Sequence, residues 1–226
     1  MFFGTKQKNY KLKEFLKNNW SYLGLYLVAL SVALYYLLSY DKLIIHQMVN
    51  YWVGNPVANT FYKYFTNVGD GIFAVAVGVI VLLTSMKRGV YVLLSYAGAG
   101  ITSSILKASI NYSRPFAFFD YYKKHLKLNI VDGVEMLGER SFPSGHATAA
   151  FAVFTALAFS TENKIVKVIF FVIAINAAFS RIYLSQHWLF DVFVGSLIGT
   201  FYAILFYFVF YKSERFDNKL NIFKPN

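Results

Sequence analysis

The chain has no cysteine, so disulfides, thiolate chemistry and cysteine-based metal sites are excluded. Charge is also scarce: 15% of the 226 residues are Asp, Glu, Lys or Arg, against 57% hydrophobic and 20% aromatic. The two halves carry no clear internal repeat, and no small-residue cleavage site follows the first apolar run. A soluble domain of this size has no use for so much apolar surface, and a mean hydropathy of +0.46 reads as a membrane protein. The length fits one compact membrane domain. Lys and Arg number 22 against 11 Asp and Glu, a formal charge of +11. These basic residues do not interleave with aromatics on a polar surface, so nucleic acid is not the partner they indicate. They cluster where hydrophobic segments end, which is the pattern of membrane topology.

The expected fold is all-α: a polytopic membrane protein with six transmembrane helices in one bundle, occupying 20–211. Residues 1–19 form a basic surface segment, where Leu12, Phe15 and Leu16 give one apolar face to a short interfacial helix. The spans are predicted at 21–40, 68–86, 90–110, 143–160, 165–179 and 187–211, followed by a polar cytoplasmic tail, 212–226. The stretch 41–66 is mixed and reads as a partly buried or interfacial helix broken by Gly54, Asn55 and Pro56. A long outer loop, 111–142, joins the third and fourth spans. Lys6, Lys8, Lys11, Lys13, Lys17, Lys87, Arg88, Lys164, Lys167, Lys212, Arg215, Lys219 and Lys224 fall on the side of the termini. The positive-inside rule makes that side cytoplasmic.

Three polar constellations then share the opposite side. One ends the third span, from Lys107 to Arg114-Pro115. Another, Pro143-Ser144-Gly145-His146, starts the fourth. The last, from Ser180-Arg181 to His187 and Asp191, joins the fifth and sixth. Ionisable groups at the end of a span mark a functional site. His187 and Asp191 are four apart, and at helical pitch they stack on one face. A carboxylate there fixes the imidazole tautomer and strengthens the other nitrogen as a nucleophile. Converging cations (Lys107, Arg114 and Arg181) imply an anion, and the guanidinium fork matches phosphate. Pro143 suits the first position of a helix. Ser144 and Gly145 then offer backbone N–H groups where the dipole also favours an anion. The two histidines can divide phosphoryl transfer, His187 attacking phosphorus and His146 protonating the departing oxygen. The cations can take the developing charge, so neither a metal nor a cofactor is needed.

Lys-x6-Arg-Pro, Pro-Ser-Gly-His and Ser-Arg-x5-His-x3-Asp, in that order, resemble the three signature motifs of the type 2 phosphatidic acid phosphatase family, which shares its active site with vanadium-dependent haloperoxidases. The match covers 107–191 without departure at a motif position. The resemblance implies a membrane lipid phosphate phosphatase, with Lys107, Arg114, Ser144, Gly145 and Arg181 holding the phosphate. It implies His187 as nucleophile through a phosphohistidine, Asp191 as its orienter and His146 as general acid. The expected partners are a lipid phosphate substrate and membrane lipids, with no nucleic acid and no obligate protein partner. Phosphatidylglycerol phosphate, phosphatidic acid, undecaprenyl diphosphate and a lipid A phosphate stay open as substrates. In length the chain is similar to small bacterial members, which points to a bacterial inner membrane with the site on the periplasmic or outer face. The motifs do not separate a phosphatase from a lipid phosphotransferase with a non-water acceptor. A haloperoxidase fits poorly with six spans. An anionic-lipid transporter fits poorly with polar groups at one end only.

Simpler roles compete for single residues. Lys107 and Arg114 could each be a snorkelling anchor, and Asp191 could pair with Arg181. Gly195 and Gly199 read as a helix-packing face. Trp20, Trp52 and Trp188 read as interfacial belts. His46 and His125 lack partners at useful spacing and read as surface or interfacial residues. Glu135, Glu139 and Arg140 read as a solvated loop ahead of a part in headgroup selectivity, and Gln186 has no assigned role.

Overall fold

A computed structural model describes the backbone of residues 3–123 and 125–211, with side chains from residue 12 onward. The expected tail, 212–226, and the side chains of Lys6, Lys8 and Lys11 lie outside the described residues. All regular structure among the described residues is helical. In order it comprises α1 (Phe3–Ser39), α2 (Lys42–Asn50), α3 (Pro56–Phe65), a 3-10 turn (Thr66–Gly69), α4 (Gly71–Thr84) and α5 (Met86–Ser109). Then follow α6 (Pro115–Tyr122), α7 (Gly145–Phe159), α8 (Lys164–Tyr183), α9 (Leu189–Phe206) and a π turn (Tyr207–Tyr211).

Short polar side chains set most of these starts. Asp41, Asn55, Asp70, Ser85, Ser144 and Asn163 each precede a helix, and each accepts a hydrogen bond from a backbone N–H in its first turn. That satisfies donors a helix cannot satisfy itself, which matters most where water is absent. Pro56 and Pro115 sit at the first helical position, where a missing N–H costs nothing.

Four helical stretches are long and apolar enough to cross a membrane: Leu12–Ser39, Met86–Ser109, Lys164–Tyr183 and Leu189–Tyr211. Pro56–Gly69 and Gly71–Thr84 meet at a 60° bend, and taken as one broken span they make five. The protein is therefore an integral membrane protein. The apolar helix α7 has 15 residues, about 22 Å at 1.5 Å per residue, shorter than a hydrocarbon core. It is buried nearly all round, in contact with α5, α8 and α9. It is the centre post of the bundle.

Glycine lets α9 close on that post. A Cβ at Gly195 would lie 2.7 Å from the Ser144 carbonyl oxygen, and one at Gly199 would lie 2.5 Å from that of Thr148. The packing role expected of this pair is what the structure shows. On another side α1 docks through Tyr22, whose hydroxyl meets Thr155 Oγ1 at 2.6 Å, and through Phe15 against Phe159 and Tyr207.

Several expectations are corrected. No break separates a surface helix from the first span: α1 runs continuously from Phe3 to Ser39, because Phe15 and Asn19 are buried against the bundle. Lys167, placed on the side of the termini, is buried there against α1. It is 1% exposed, donating from Nζ to the Asn18 carbonyl (2.8 Å) and to Asn19 Oδ1. The predicted second span, 68–86, starts later: the 3-10 turn Thr66–Gly69 takes up its first residues, and α4 runs unbroken from Gly71 to Thr84. Pro143 lies two residues before α7, after a cis Phe142–Pro143 peptide, and Ser144 takes the cap.

Candidate active site

At the end of α8 the chain reverses in a few residues. Ser185 adopts φ +55°, and the N–H groups of Gln186 and His187 both donate to the Arg181 carbonyl, at 2.9 and 3.1 Å. Helix α9 begins only at Leu189, where the Asp191 carboxylate reaches back to accept from the Trp188 N–H at 2.9 Å. His187 therefore stands in a turn and not on a helix. Its pairing with Asp191 comes from this carboxylate cap and not from helical pitch, as the spacing had implied. His187 Nδ1 lies 3.5 Å from Asp191 Oδ2, and both side chains are buried. Ser141, absent from the sequence-based site, completes the group: its Oγ donates to Asp191 Oδ2 at 2.5 Å and lies 3.4 Å from His187 Nδ1. His187 Nε2 forms no hydrogen bond among the described residues and is free for an incoming group.

The cations are held by neutral groups. Arg114 precedes Pro115, which keeps it extended and out of α6. Its Nε donates to the Glu139 carbonyl at 3.0 Å, and its Nη1 to the carbonyl and side-chain oxygens of Gln186 at 3.3 and 3.0 Å. Lys107 Nζ donates to the Arg140 carbonyl at 3.1 Å. Arg181 Nη1 donates to Thr66 Oγ1 at 2.7 Å, and its buried Nε has no partner among the described residues. The Asp191–Arg181 ion pair is thus not formed. Asp70 lies within electrostatic reach of Arg181, but its Oδ1 caps α4. None of the three cations is neutralised by a bonded carboxylate among the described residues, so their charge remains available to an anion. The long loop serves them through the backbone oxygens of Glu139 and Arg140, not through its acidic side chains.

Burial, then the charges of Arg181, Arg114 and Lys107, hold His187 well below the ordinary imidazole range. The ring is neutral near pH 7. Burial also lowers Arg114, with Asp191 opposing the shift.

The fold brings the second motif to the same place. The Ser144 N–H donates to the Asp191 carbonyl at 3.1 Å, tying the starts of α7 and α9 together. That N–H is consequently not free to cradle phosphate, and Ser144 Oγ accepts from Ala147 N at 3.4 Å. Gly145 and His146 line a cavity of about 230 Å³ with Lys107, Ser103 and Ser104. Arg181, His187, Lys107 and Arg114 all act electrostatically on His146. A Cβ at Gly69 would lie 2.9 Å from the His146 carbonyl oxygen, so the bend between α3 and α4 forms a wall of the site. No three His, Asp or Glu residues among the described residues come together as a metal-binding group.

All eight residues expected from the sequence thus belong to one assembly at one end of the bundle. Residues 88–215, which contain them, match the model of the PAP2 superfamily. The chain belongs to the PAP2 superfamily. It is 29% identical over 125 residues to the lipid A 1-phosphatase of Rhizobium johnstonii, covering 54% of this chain and 48% of that one. It is 34% identical over 93 residues to phosphatidylglycerophosphatase B of Bacillus subtilis, covering 37% of this chain and 42% of that one. The chain thus spans about half the length of the curated relatives it matches. The crystal structure of Aquifex aeolicus LpxE superposes with a TM-score of 0.65 at 25% identity, over 74% of this chain and 95% of that one. The transmembrane PAP2-type phosphatidylglycerolphosphate phosphatase of Bacillus subtilis has the same fold, with a TM-score of 0.58 at 22% identity over 92% of this chain and 99% of that one.

Three PAP2-site contributors escaped the sequence. Gln186 lies inside the third motif and Ser141 two residues before the second, so proximity to the motifs was the available signal. Thr66 is 115 residues from Arg181 in the chain and carries no pattern of its own.

Proposed function

We propose that this PAP2 protein is a membrane lipid phosphate phosphatase working through a phosphohistidine on His187. One observation carries the reading: three cations, bonded to neutral oxygens, surround a neutral imidazole backed by a buried carboxylate. In the first step Nε2 of His187 attacks phosphorus, forming an N–P bond as the P–O bond to the lipid breaks. His146, protonated once the bound phosphate's negative charge offsets the cations around it, gives its proton to the departing oxygen. Lys107, Arg114, Arg181 and the Gly145 N–H take the charge on the equatorial oxygens. Water, deprotonated by His146, then attacks phosphorus, releases inorganic phosphate and restores both histidines. Asp191 holds the Nδ1–H tautomer throughout.

The membrane arrangement that serves this chemistry has six crossings: α1, the bent α3–α4 pair, α5, α7, α8 and α9. The basic residues support cytoplasmic termini and a site on the outer face of a bacterial inner membrane. Relatives named for lipid A 1-phosphate and phosphatidylglycerophosphate support those two lipids as first substrates to try. The test is phosphate release by the purified protein from both lipids, phosphatidic acid and undecaprenyl diphosphate, with and without EDTA. Release by the wild type and its loss in His187→Ala are expected. Transfer of phosphate to a second lipid instead of water would reassign the enzyme as a phosphotransferase.

A further inference from the structure

Helix α2 lies outside the stretch that matches the family, yet it is fastened to the turn that carries His187. His46 is 1% exposed, with its ring beside Trp188 and Phe119 at centroid distances of 5.4 and 5.8 Å. Its Nε2 meets Ser185 Oγ at 3.1 Å, while its Nδ1 is buried without a partner among the described residues. Ser185 is the left-handed residue of the reversal, a conformation that a residue with a β-carbon holds only when its surroundings impose it. Its carbonyl accepts from Phe116 N at 3.4 Å, and its N–H donates to the Ile182 carbonyl at 3.0 Å. One turn of α2 earlier, Lys42 places its ammonium 5.0 Å from the Trp188 ring and donates to the Tyr112 hydroxyl at 2.7 Å. Residues on both sides of Gln186-His187 are therefore held from α2.

We infer that His46 is a positioning residue: through Ser185 it sets the turn that aims His187 at phosphorus and holds Gln186 against Arg114. The inference rests on the phosphatase reading. A misplacement of about 1 Å at a reacting atom can cost on the order of 100-fold in rate, so a single hydrogen bond on this turn has leverage. The residue touches neither substrate nor the reacting atoms.

The experiment compares His46→Phe, which fills the ring volume without a nitrogen, with Ser185→Ala, the double variant, and His46→Gln, whose amide can reach the position of Nε2. Wild-type phosphate release from the lipid panel is measured first, because it tests the phosphatase reading alone. With that activity present, each of the first two variants is expected to lower kcat about 10-fold or more, the double variant no further, and His46→Gln to retain most of the rate. Thermal midpoints are measured alongside. A His46→Phe or Ser185→Ala protein that folds and turns over within twofold of wild type overturns the inference, as do losses that multiply in the double variant. If the wild type releases phosphate from no lipid, the phosphatase reading fails. The positioning role is then read from the rate at which diethyl pyrocarbonate modifies His187, followed by peptide mass. Equal shifts in the two single variants and in the double support it, and an unchanged rate overturns it.

Discussion

Ser141 Oγ lies 2.5 Å from Asp191 Oδ2, the same oxygen that faces His187 Nδ1 at 3.5 Å and the Trp188 N–H at 2.9 Å. One carboxylate oxygen thus caps α9, faces the His187 imidazole and anchors the residue preceding Phe142–Pro143. The serine is expected to matter to kcat and little to KM, since it touches the orienter and not the anion. Ser141→Ala should lower kcat about 10-fold, and Asp191→Asn more, on the order of 10³- to 10⁴-fold, because an amide can impose the wrong tautomer. Steady-state kinetics on any accepted lipid decides it. Full activity in Ser141→Ala would leave Asp191 as the sole orienter.

Gln186 holds Arg114 through both its backbone and side-chain oxygens, while its own Nε2 donates to the Glu135 carbonyl at 2.9 Å. Removing the amide leaves the backbone contact, so Arg114 should loosen without leaving. Gln186→Leu is expected to raise KM, or the Kd for vanadate, by 5- to 10-fold, about 1 kcal/mol, with a smaller change in kcat. Gln186→Glu should do more, because a carboxylate there would neutralise the guanidinium proposed to hold the phosphate. A lower KM in the glutamate variant would contradict an anion-binding role for Arg114.

What was legible in advance follows from the physics of each signal. The apolar runs of α1, α5, α8 and α9 are long enough to cross a hydrocarbon core and could be read directly. The short α7 was placed by the Pro-Ser-Gly-His motif, although Pro143 falls before its cap. Lys107, Arg114, His146, Arg181, His187 and Asp191 were found because ionisable groups stand out in an apolar chain. Two kinds of feature were hidden. Trp188 and His46 were read as interfacial or surface residues, yet each is 1% exposed, since an aromatic ring serves equally well in a belt or a core. The contacts of Thr66 with Arg181 and of Gly69 with His146 depend on how a bent helix pair packs, which no local pattern encodes. The His187–Asp191 pair was anticipated for a different reason than the one that produces it. An i, i+4 spacing suits both a helix face and a carboxylate capping the helix that follows.

Close packing between α7 and α9 gives a steric test. A methyl group at Gly199 would meet the Thr148 carbonyl oxygen at 2.5 Å, and the Ala152 nitrogen at 2.7 Å. These are backbone atoms of a buried helix and cannot swing aside, so Gly199→Ala should cost about 1–3 kcal/mol of stability. Gly195→Ala presses on the Ser144 carbonyl at 2.7 Å, beside the bond that joins α7 to α9, and should lower activity as well as the thermal midpoint. Gly100, with nothing within 4 Å of its would-be Cβ, is the control. Its alanine variant should melt at or slightly above the wild-type temperature. Thermal unfolding in detergent with parallel activity assays checks all three, and equal midpoints across the set would reject the packing account.

The buried imidazoles make stability depend on pH in a stated direction. Burial lowers His46 from 6.5 to about 4, so it is neutral in the fold through the mildly acidic range, whereas the unfolded chain takes up a proton near pH 6.5. The unfolded state then binds more protons, and stability falls as pH drops below that value. The contribution is complete above pH 6.5 and is lost progressively as pH falls toward about 4, a change of about 3 kcal/mol at 1.36 kcal/mol per pH unit. His187 is lowered too and adds to the same slope. Wild-type protein should therefore melt several degrees lower at pH 5 than at pH 7.5. His46→Gln, which keeps a partner for Ser185 but cannot titrate, should show a shallower slope between those values. The rate profile carries the same sign: His187 must be neutral to attack, so the acid limb of kcat/KM should lie below pH 6.5. An acid limb above neutrality would mean that the free enzyme holds His187 protonated, contrary to the field that Arg181, Arg114 and Lys107 impose on it.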